Sequence, residues 1–476
     1  MHSLTVHAAG LVACLIAPAL SHPTHSPRHV HHRRYEHDAS PTISPNIPTK
    51  RTAYDLDGNG VPDVCKALSG TDEACEESNS QWITFNPNSP PTPTAKLQAP
   101  VIQTAVATAS LPRGTLPSAA TFQQQNGTKW TLTKKGVLQY SGPLGQMNLQ
   151  GDKARTGVLG GQVIWNFGDM TCAGGLDVCG FDMGPAMYGT SSISTVNTQD
   201  ITQIQDAAFI QPHASTTNFF ANEILGEGCT AWGMDNSNVA ALNNTHGIVL
   251  SWEQWRNCPS LDRKTDGVQD RGLGASVITL GDKFPTATRV SGLLAGGDRV
   301  AAGKLAIMAA EGYIYSYTVE DSGMSSGFFA THNMIVGRAS INDRDIFSST
   351  TAWEFYMPST QSWVSGIPLR TDAPKYNLQT ASGKWNCAVY GTVMWSNYFN
   401  KYMLFCDLLE NEFNFYTADR PEGPWSEEYQ LITGVSGYGS MVHPEYSEDG
   451  SHKALYISMG PDTEFEIWRV EFDYDA

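Results

Sequence analysis

Roughly 355 residues, from about position 120 to the C-terminus, share one texture: short β-branched and aromatic runs broken by Gly, Asn, Asp and Ser turns. "GGQVIWNFGDM", "ASVITLGDKF" and "CAVYGTVMWSNYFNKYMLFC" are typical. No long apolar stripe at helical spacing interrupts them, and "DITQIQDAAFI" is the one short helical candidate. An all-β region of this length must dispose of its sheet edges, and radial repetition leaves only short, protected ones. The hairpins fall in units of about 60 to 75 residues with no linker between them, so the texture predicts a β-propeller rather than two sandwiches. Unit length favours five blades; seven is the alternative, because the blade sequences do not visibly repeat. "FYTADRPEGPWS" reads as a blade hairpin, with Pro421 and Gly423 shaping its turn and Asp419 fastening it.

What precedes this region speaks of secretion. Residues 1–21 hold a short apolar core ending in Ala19-Leu20-Ser21, a small-x-small cleavage site. Residues 22–51 form a His/Pro-rich pro-segment that ends at the dibasic pair Lys50-Arg51, and a metal-binding tract is the other reading of its histidines. Removing 1–51 leaves 25 basic and 45 acidic residues, a net charge of −20. Such a chain repels nucleic acid and anionic membrane surfaces, and accepts a neutral glycan more readily than a polyanionic one. No stretch is apolar enough to span a bilayer. A secreted, extracellular monomer is expected.

Cys14 leaves with the signal segment, and the remaining eight cysteines fall as sequence neighbours. Four local disulfides are the simplest reading: Cys65 with Cys75, Cys172 with Cys179, Cys229 with Cys258, and Cys387 with Cys406. Asn126 and Asn243 open glycosylation sequons. Residues 52–82 contain "DLDGNGVPD", in which Asp55, Asp57, Asn59, the Val61 carbonyl and Asp63 stand at positions 1, 3, 5, 7 and 9 around Gly60. That spacing of oxygens suits a disulfide-closed, calcium-type loop, although Lys66 stands where an EF-hand has its Glu. A structural Ca²⁺ is therefore expected there, an ion-free Asp/Gly turn being the alternative, and no cofactor is expected for catalysis. Residues 83–118 are a Pro/Thr/Ala-rich strap or linker, and 119–476 the propeller.

Several short motifs then occur in a telling order. "GGQVIWNFGDM", "VGRASI", "TAWEFYMPSTQSW", "YFNKYMLFC", "FYTADRPEGPWS", "YGSMVHPEYSEDGSHKALYISM" and "EIWRVEF" follow one another over about residues 145–474. The series resembles a family of secreted five-bladed propellers, formerly a domain of unknown function, that includes endo-D-arabinanases and is distantly related to glycoside hydrolase family 43. The resemblance implies a hydrolase with two carboxyl groups in the axial pocket, and it places Asp152 and Asp169 there. The sequence departs from the family where Gly151-Asp152 replaces Arg-Asp, where Met170 replaces Thr, and in the loop "TCAGGLDVCG".

Further candidates come from their settings. Glu223, after Phe219-Phe220, is a third candidate catalytic acid. His443 before Pro444 offers a hydrogen bond to a sugar hydroxyl, Trp232 a stacking face and Arg338 a carboxylate-orienting cation. The plain alternatives are a structural His and a core Trp. Asp235 and Glu311 read as turn residues. No G-x-S-x-G, phosphate loop, H-E-x-x-H or dinucleotide fingerprint is present. The expectation is a glycoside hydrolase acting on a neutral, arabinofuranose-containing polysaccharide or oligosaccharide. The alternatives are a non-catalytic carbohydrate-binding propeller, or a polysaccharide lyase using His443 and Tyr438.

Overall fold

In the computed structural model, the described residues are 130–151, 153–172, 176–180, 182–198, 201–210, 231–256, 269–289, 293–321, 332–388, 390–408, 412–433, 439–459 and 465–473. Their strands build five sheets of four or more strands, antiparallel but for the parallel pairing of Gln139–Tyr140 with Thr195–Asn197, and the alternative of seven blades is set aside. Blade 1 runs outward from Arg155–Leu159 through Gln162–Asn166 and Ala186–Gly189 to Thr195–Asn197. Blade 2 has an interrupted inner strand, Ala231–Asn236 and then Ala240–Ala241, followed by His246–Arg256, Gln269–Leu280 and Pro285–Arg289. Blade 3 starts at Ala306–Ala310 and blade 4 at Gly391–Ser396. Blade 5 starts at Met441–His443 and takes its outermost strand, Trp130–Val137, from the other end of the chain, pairing Trp130 with Phe472. The helical candidate near 200 is a single 3-10 turn, Ile204–Ala207.

Each blade buries both faces against its neighbours, so Ala306–Ala310 is buried at every position and Gln162–Asn166 at all but its first. One cluster joins blades 2 and 3 around Trp252 and Trp353, the next joins blades 3 and 4 around Tyr317 and Trp425, and a third joins blades 4 and 5 around Phe405, Phe415 and Phe472. A fourth, around Trp165 and Phe167, takes in Phe465 and Ile467 of blade 5. The "FYTADRPEGPWS" hairpin serves this packing: Trp425 meets Tyr317 and Trp385, and the Tyr317 hydroxyl donates to Pro421 O at 2.8 Å. Asp419 pairs with Lys401 at the surface.

The five inner strands belong to separate sheets, so no backbone ladder joins them. Side chains clamp them instead. The Asn238 amide exchanges two 2.9 Å hydrogen bonds with the Ile307 backbone, joining blade 2 to blade 3. The Thr392 hydroxyl does the same for Val442 N and O at 3.0 and 3.2 Å, joining blade 4 to blade 5. At Gly157 a Cβ would stand 2.1 Å from Val239 O, so only glycine allows the inner strand of blade 1 to lie this close to blade 2. Two of the four expected disulfides, Cys172–Cys179 and Cys387–Cys406, are formed; Cys65, Cys75, Cys229 and Cys258 lie outside the described residues. No helix among the described residues is long and apolar enough to cross a membrane.

Candidate functional site

The inner strands surround an axial cavity lined by residues of all five blades, among them Thr156, Asn238, Ala309, Thr392 and Glu445. Buried charged groups gather at the face where the inner strands begin.

Two buried cations meet a part-buried carboxylate there. Lys153, with a left-handed φ of 36°, pairs with Asp235, and Arg155 Nη1 stands 3.5 Å from the same Asp235 oxygen. Arg155 Nη2 donates to Lys304 O at 2.6 Å, tying blade 1 to the approach to blade 3. Both cations face the Tyr390 ring, at 5.1 and 5.6 Å from its centroid. Arg155 is 2 % and Lys153 4 % exposed, so these charges persist because they are paired and hydrogen-bonded. Asp235 does not sit in a turn as expected, but in the strand Ala231–Asn236. Asn236 beside it is buried, and neither end of its amide has a hydrogen-bond partner among the described residues.

Asp407, on the second strand of blade 4, accepts from Gly439 N–H at 2.8 Å. Burial pushes its carboxyl up to about 8, against the pull of that N–H and of the Arg155 charge. Burial thus favours its protonated form at neutral pH.

The second carboxyl group centres on blade 1. The strand Leu149–Gly151 pairs with Met170–Cys172, placing Gly151 opposite Met170. Met170 is in turn bridged to Asp182. Asp169 and Asp182 thus occupy neighbouring arms of one small ribbon, and Gly151, which precedes Asp152 in sequence, lies on its third arm. Burial, with a smaller contribution from the Asp169 charge, pushes the Asp182 carboxyl up to about 7; the Gly184 N–H, 3.0 Å from its Oδ1, opposes both. Sequence reasoning missed Asp182. Its signal was its position three residues beyond Cys179, mirroring Asp169 three residues before Cys172.

The other expected residues divide three ways. Asp152, Glu223, Tyr438, Asn126 and the loop of Asp55, Asp57, Asn59, Val61 and Asp63 lie outside the described residues. Trp232 lies on the inner strand of blade 2, opposite Trp255 in register. His443 is not a free sugar contact. It is 0 % exposed, its Nδ1 lies 2.8 Å from the Thr156 hydroxyl and its Nε2 2.8 Å from the Ser458 hydroxyl. Burial drives its imidazole down to about 3, so it stays neutral. The Thr156 hydroxyl lies also 2.9 Å from Glu445 Oε2, whose carboxyl burial raises to about 7. Arg338 lies away from the axis on the third strand of blade 3, stacked on Tyr313 and Trp363 and 2.6 Å from Glu354. Asn243 Oδ1 caps its own turn through the Thr245 and His246 N–H groups. Among the described residues no three His, Cys, Asp or Glu side chains could hold a metal ion.

No family profile and no curated protein matches the chain. Among solved structures, it is similar to a candidate hydrolase from Bacteroides ovatus, at 15% identity over 75% of this chain and 96% of that one, with a TM-score of 0.46. A GH43_1 enzyme from Xanthomonas citri, complexed with xylotriose, aligns at 12% identity over 68% and 87% of the two chains, with a TM-score of 0.40. CoXyl43, a GH43 β-xylosidase/α-arabinofuranosidase from a compost microbial metagenome, aligns at 11% identity over 72% and 95%, with a TM-score of 0.37.

Proposed function

We propose that this chain is a secreted glycoside hydrolase that cleaves a neutral, arabinofuranose-containing polysaccharide at the face where the inner strands begin. The observation that carries the reading is the Asp169–Asp182 neighbourhood, in which burial and a nearby like charge favour a proton on Asp182 at neutral pH. Glycoside hydrolysis asks for such a division, one carboxyl protonated and another ionised across the scissile bond. In this proposal Asp182 donates its proton to the leaving-group oxygen. Asp152 acts from the other side as nucleophile or as base for water, and Asp169 supplies the charge that helps keep Asp182 protonated. Glu223 is the reserve proton donor. The net charge of −20 after processing favours a neutral substrate over a polyanionic one.

The Asp55–Asp63 loop would hold a structural Ca²⁺ through its carboxylates, Asn59 and the Val61 carbonyl, and no step of the reaction runs through it. The lyase alternative loses its base, because both ring nitrogens of His443 are occupied and the ring is buried. One observation favours a non-catalytic binding propeller: Asp235, on the inner strand of blade 2, is engaged by Lys153 and Arg155 and so is not free to act as an acid or base. A polysaccharide panel with product analysis decides. New reducing ends, lost on Asp182→Asn by about 10²- to 10⁴-fold, support the hydrolase. Binding without products supports the module, and full activity in both Asp152→Asn and Asp182→Asn overturns the site.

A further inference from the structure

We propose that the Cys172–Cys179 disulfide is a positioning clamp that sets the spacing of the Asp169 and Asp182 side chains, so that opening it disarms the site while the propeller stands. The inference rests on the hydrolase reading above for its catalytic consequence, but not for its geometry. Asp169 and Asp182 flank the bridge symmetrically, three residues before Cys172 and three after Cys179. Between them the chain doubles back on itself. Met170 N donates to Asp182 O at 2.9 Å and Asp182 N to Met170 O at 3.2 Å, nearer the blade Phe167 N donates to Pro185 O at 3.1 Å, and beyond Met170 no backbone pair joins the two arms among the described residues. The Thr171 hydroxyl adds one more tie, to Gly180 O at 3.0 Å.

The Cys172 arm pairs with Leu149–Gly151, but beyond Met170 its tie to the Cys179 arm is the Thr171 hydroxyl, too little to fix the width of the ribbon's outer end. The covalent link fixes it. It joins two arms whose Cα atoms stand 6.1 Å apart at Cys172 and Cys179, one short step from the carboxyl pair. The link also anchors the ribbon to the blade, because both cysteines are buried in the cluster around Trp165 and Phe167. No blade strand runs through the ring that the bond closes: it lies between Gln162–Asn166 and Ala186–Gly189, which pair directly with each other. Opening the bond therefore leaves the blade's own ladder intact.

The test compares three variants of the full chain with the parent: Cys172→Ala/Cys179→Ala, Thr171→Val, and Cys387→Ala/Cys406→Ala as the control on blade 4. The Asp182 carboxyl is titrated by ¹³C NMR, a readout that needs no substrate, and kcat and KM are followed against pH on arabinan. The Asp182 carboxyl is raised first by burial and less by the Asp169 charge, so a loosened ribbon acts on it chiefly by admitting water. The expected result for the double alanine variant is a titration midpoint nearer the ordinary aspartate value by about one unit, a tenfold change in proton affinity. Its kcat falls at least tenfold with KM nearly unchanged. Thr171→Val moves both in the same direction by less and keeps the test decisive if the alanine pair does not fold; the control pair moves neither. An unchanged midpoint in a folded Cys172→Ala/Cys179→Ala or Thr171→Val protein overturns the clamp. If the parent cleaves nothing, the hydrolase reading fails, while the titration still decides the geometry.

Discussion

Replacing Asp407 by Asn should make the protein more stable at alkaline pH than it is with its natural residue. The carboxyl is wholly buried, burial raises it from 3.8 to about 8, and one of its oxygens has no hydrogen-bond partner among the described residues. Its folded-state pKa lies above the unfolded value. The folded chain therefore keeps a proton that the unfolded chain releases as pH rises past 4. The contribution to stability is fully present below about pH 4 and is lost progressively until about pH 8. Each unit of that window is worth about 1.4 kcal/mol, so a window of about four units amounts to roughly 5 kcal/mol. Asn removes the titration, keeps the shape and retains an oxygen for the Gly439 N–H. Urea unfolding of both proteins at pH 4.5, 6, 7.5 and 9 isolates the effect, because every other titrating group cancels in the difference. The Asn variant should nearly match its parent at pH 4.5 and gain about 1.4 kcal/mol per pH unit, levelling off above pH 8. A difference that stays flat from pH 4.5 to 9 would refute the reasoning, since it would mean that Asp407 is ionised in the folded state at no cost.

Three other substitutions probe the ring and its mouth. Lys153→Met leaves Asp235 with Arg155 beside it and should cost about 3 kcal/mol in denaturant unfolding, the low end of the penalty for breaking a buried ion pair because Asp235 is only part-buried. Gly157→Ala puts a methyl group 2.1 Å from Val239 O and should lower stability by about 1–3 kcal/mol or more, read as a lower Tm. Thr156→Val removes the hydroxyl between His443 and Glu445, and should cost about 1–3 kcal/mol because two buried polar groups lose a partner. Thr156→Ser, which keeps the hydroxyl, should recover most of that stability.

Much of the architecture was legible because it is written in local signals. Runs of β-branched and aromatic residues such as "VIWNF" and "FNFYTA" yield strands, and the turn chemistry of Pro421 and Gly423 yields a hairpin, whatever the rest of the chain does. The mouth was harder to read because its meaning lies in distant pairings. Lys153 meets a residue 82 positions away, Arg155 one 149 away and Thr156 one 289 away. Nothing within ten residues of "MDNSN" tells a turn aspartate from the anion between two buried cations. His443 shows the same limit from the other side. Beside a proline at a strand end it reads as an accessible ring, whereas blade 1 brings Thr156 to its Nδ1 and Ser458 of its own blade fills Nε2. Asp182 escaped notice because its raised carboxyl depends on how the chain folds back around a disulfide.

The strand Trp130–Val137 completes the sheet that ends at Phe472, so the ring is fastened by segments that leave the ribosome and cross any export channel far apart in time. Blades 1 to 4 are each built from one continuous stretch and can order as they emerge, whereas the fifth must wait for the far end of the chain. Until then the edge of Trp130–Val137 is an open template for another chain's strand, and this should be the slowest and most aggregation-exposed step in the protein's biogenesis. Two molecules that exchanged this one strand would fasten each other's rings, so the same seam that closes a monomer is also the shortest route to a swapped dimer.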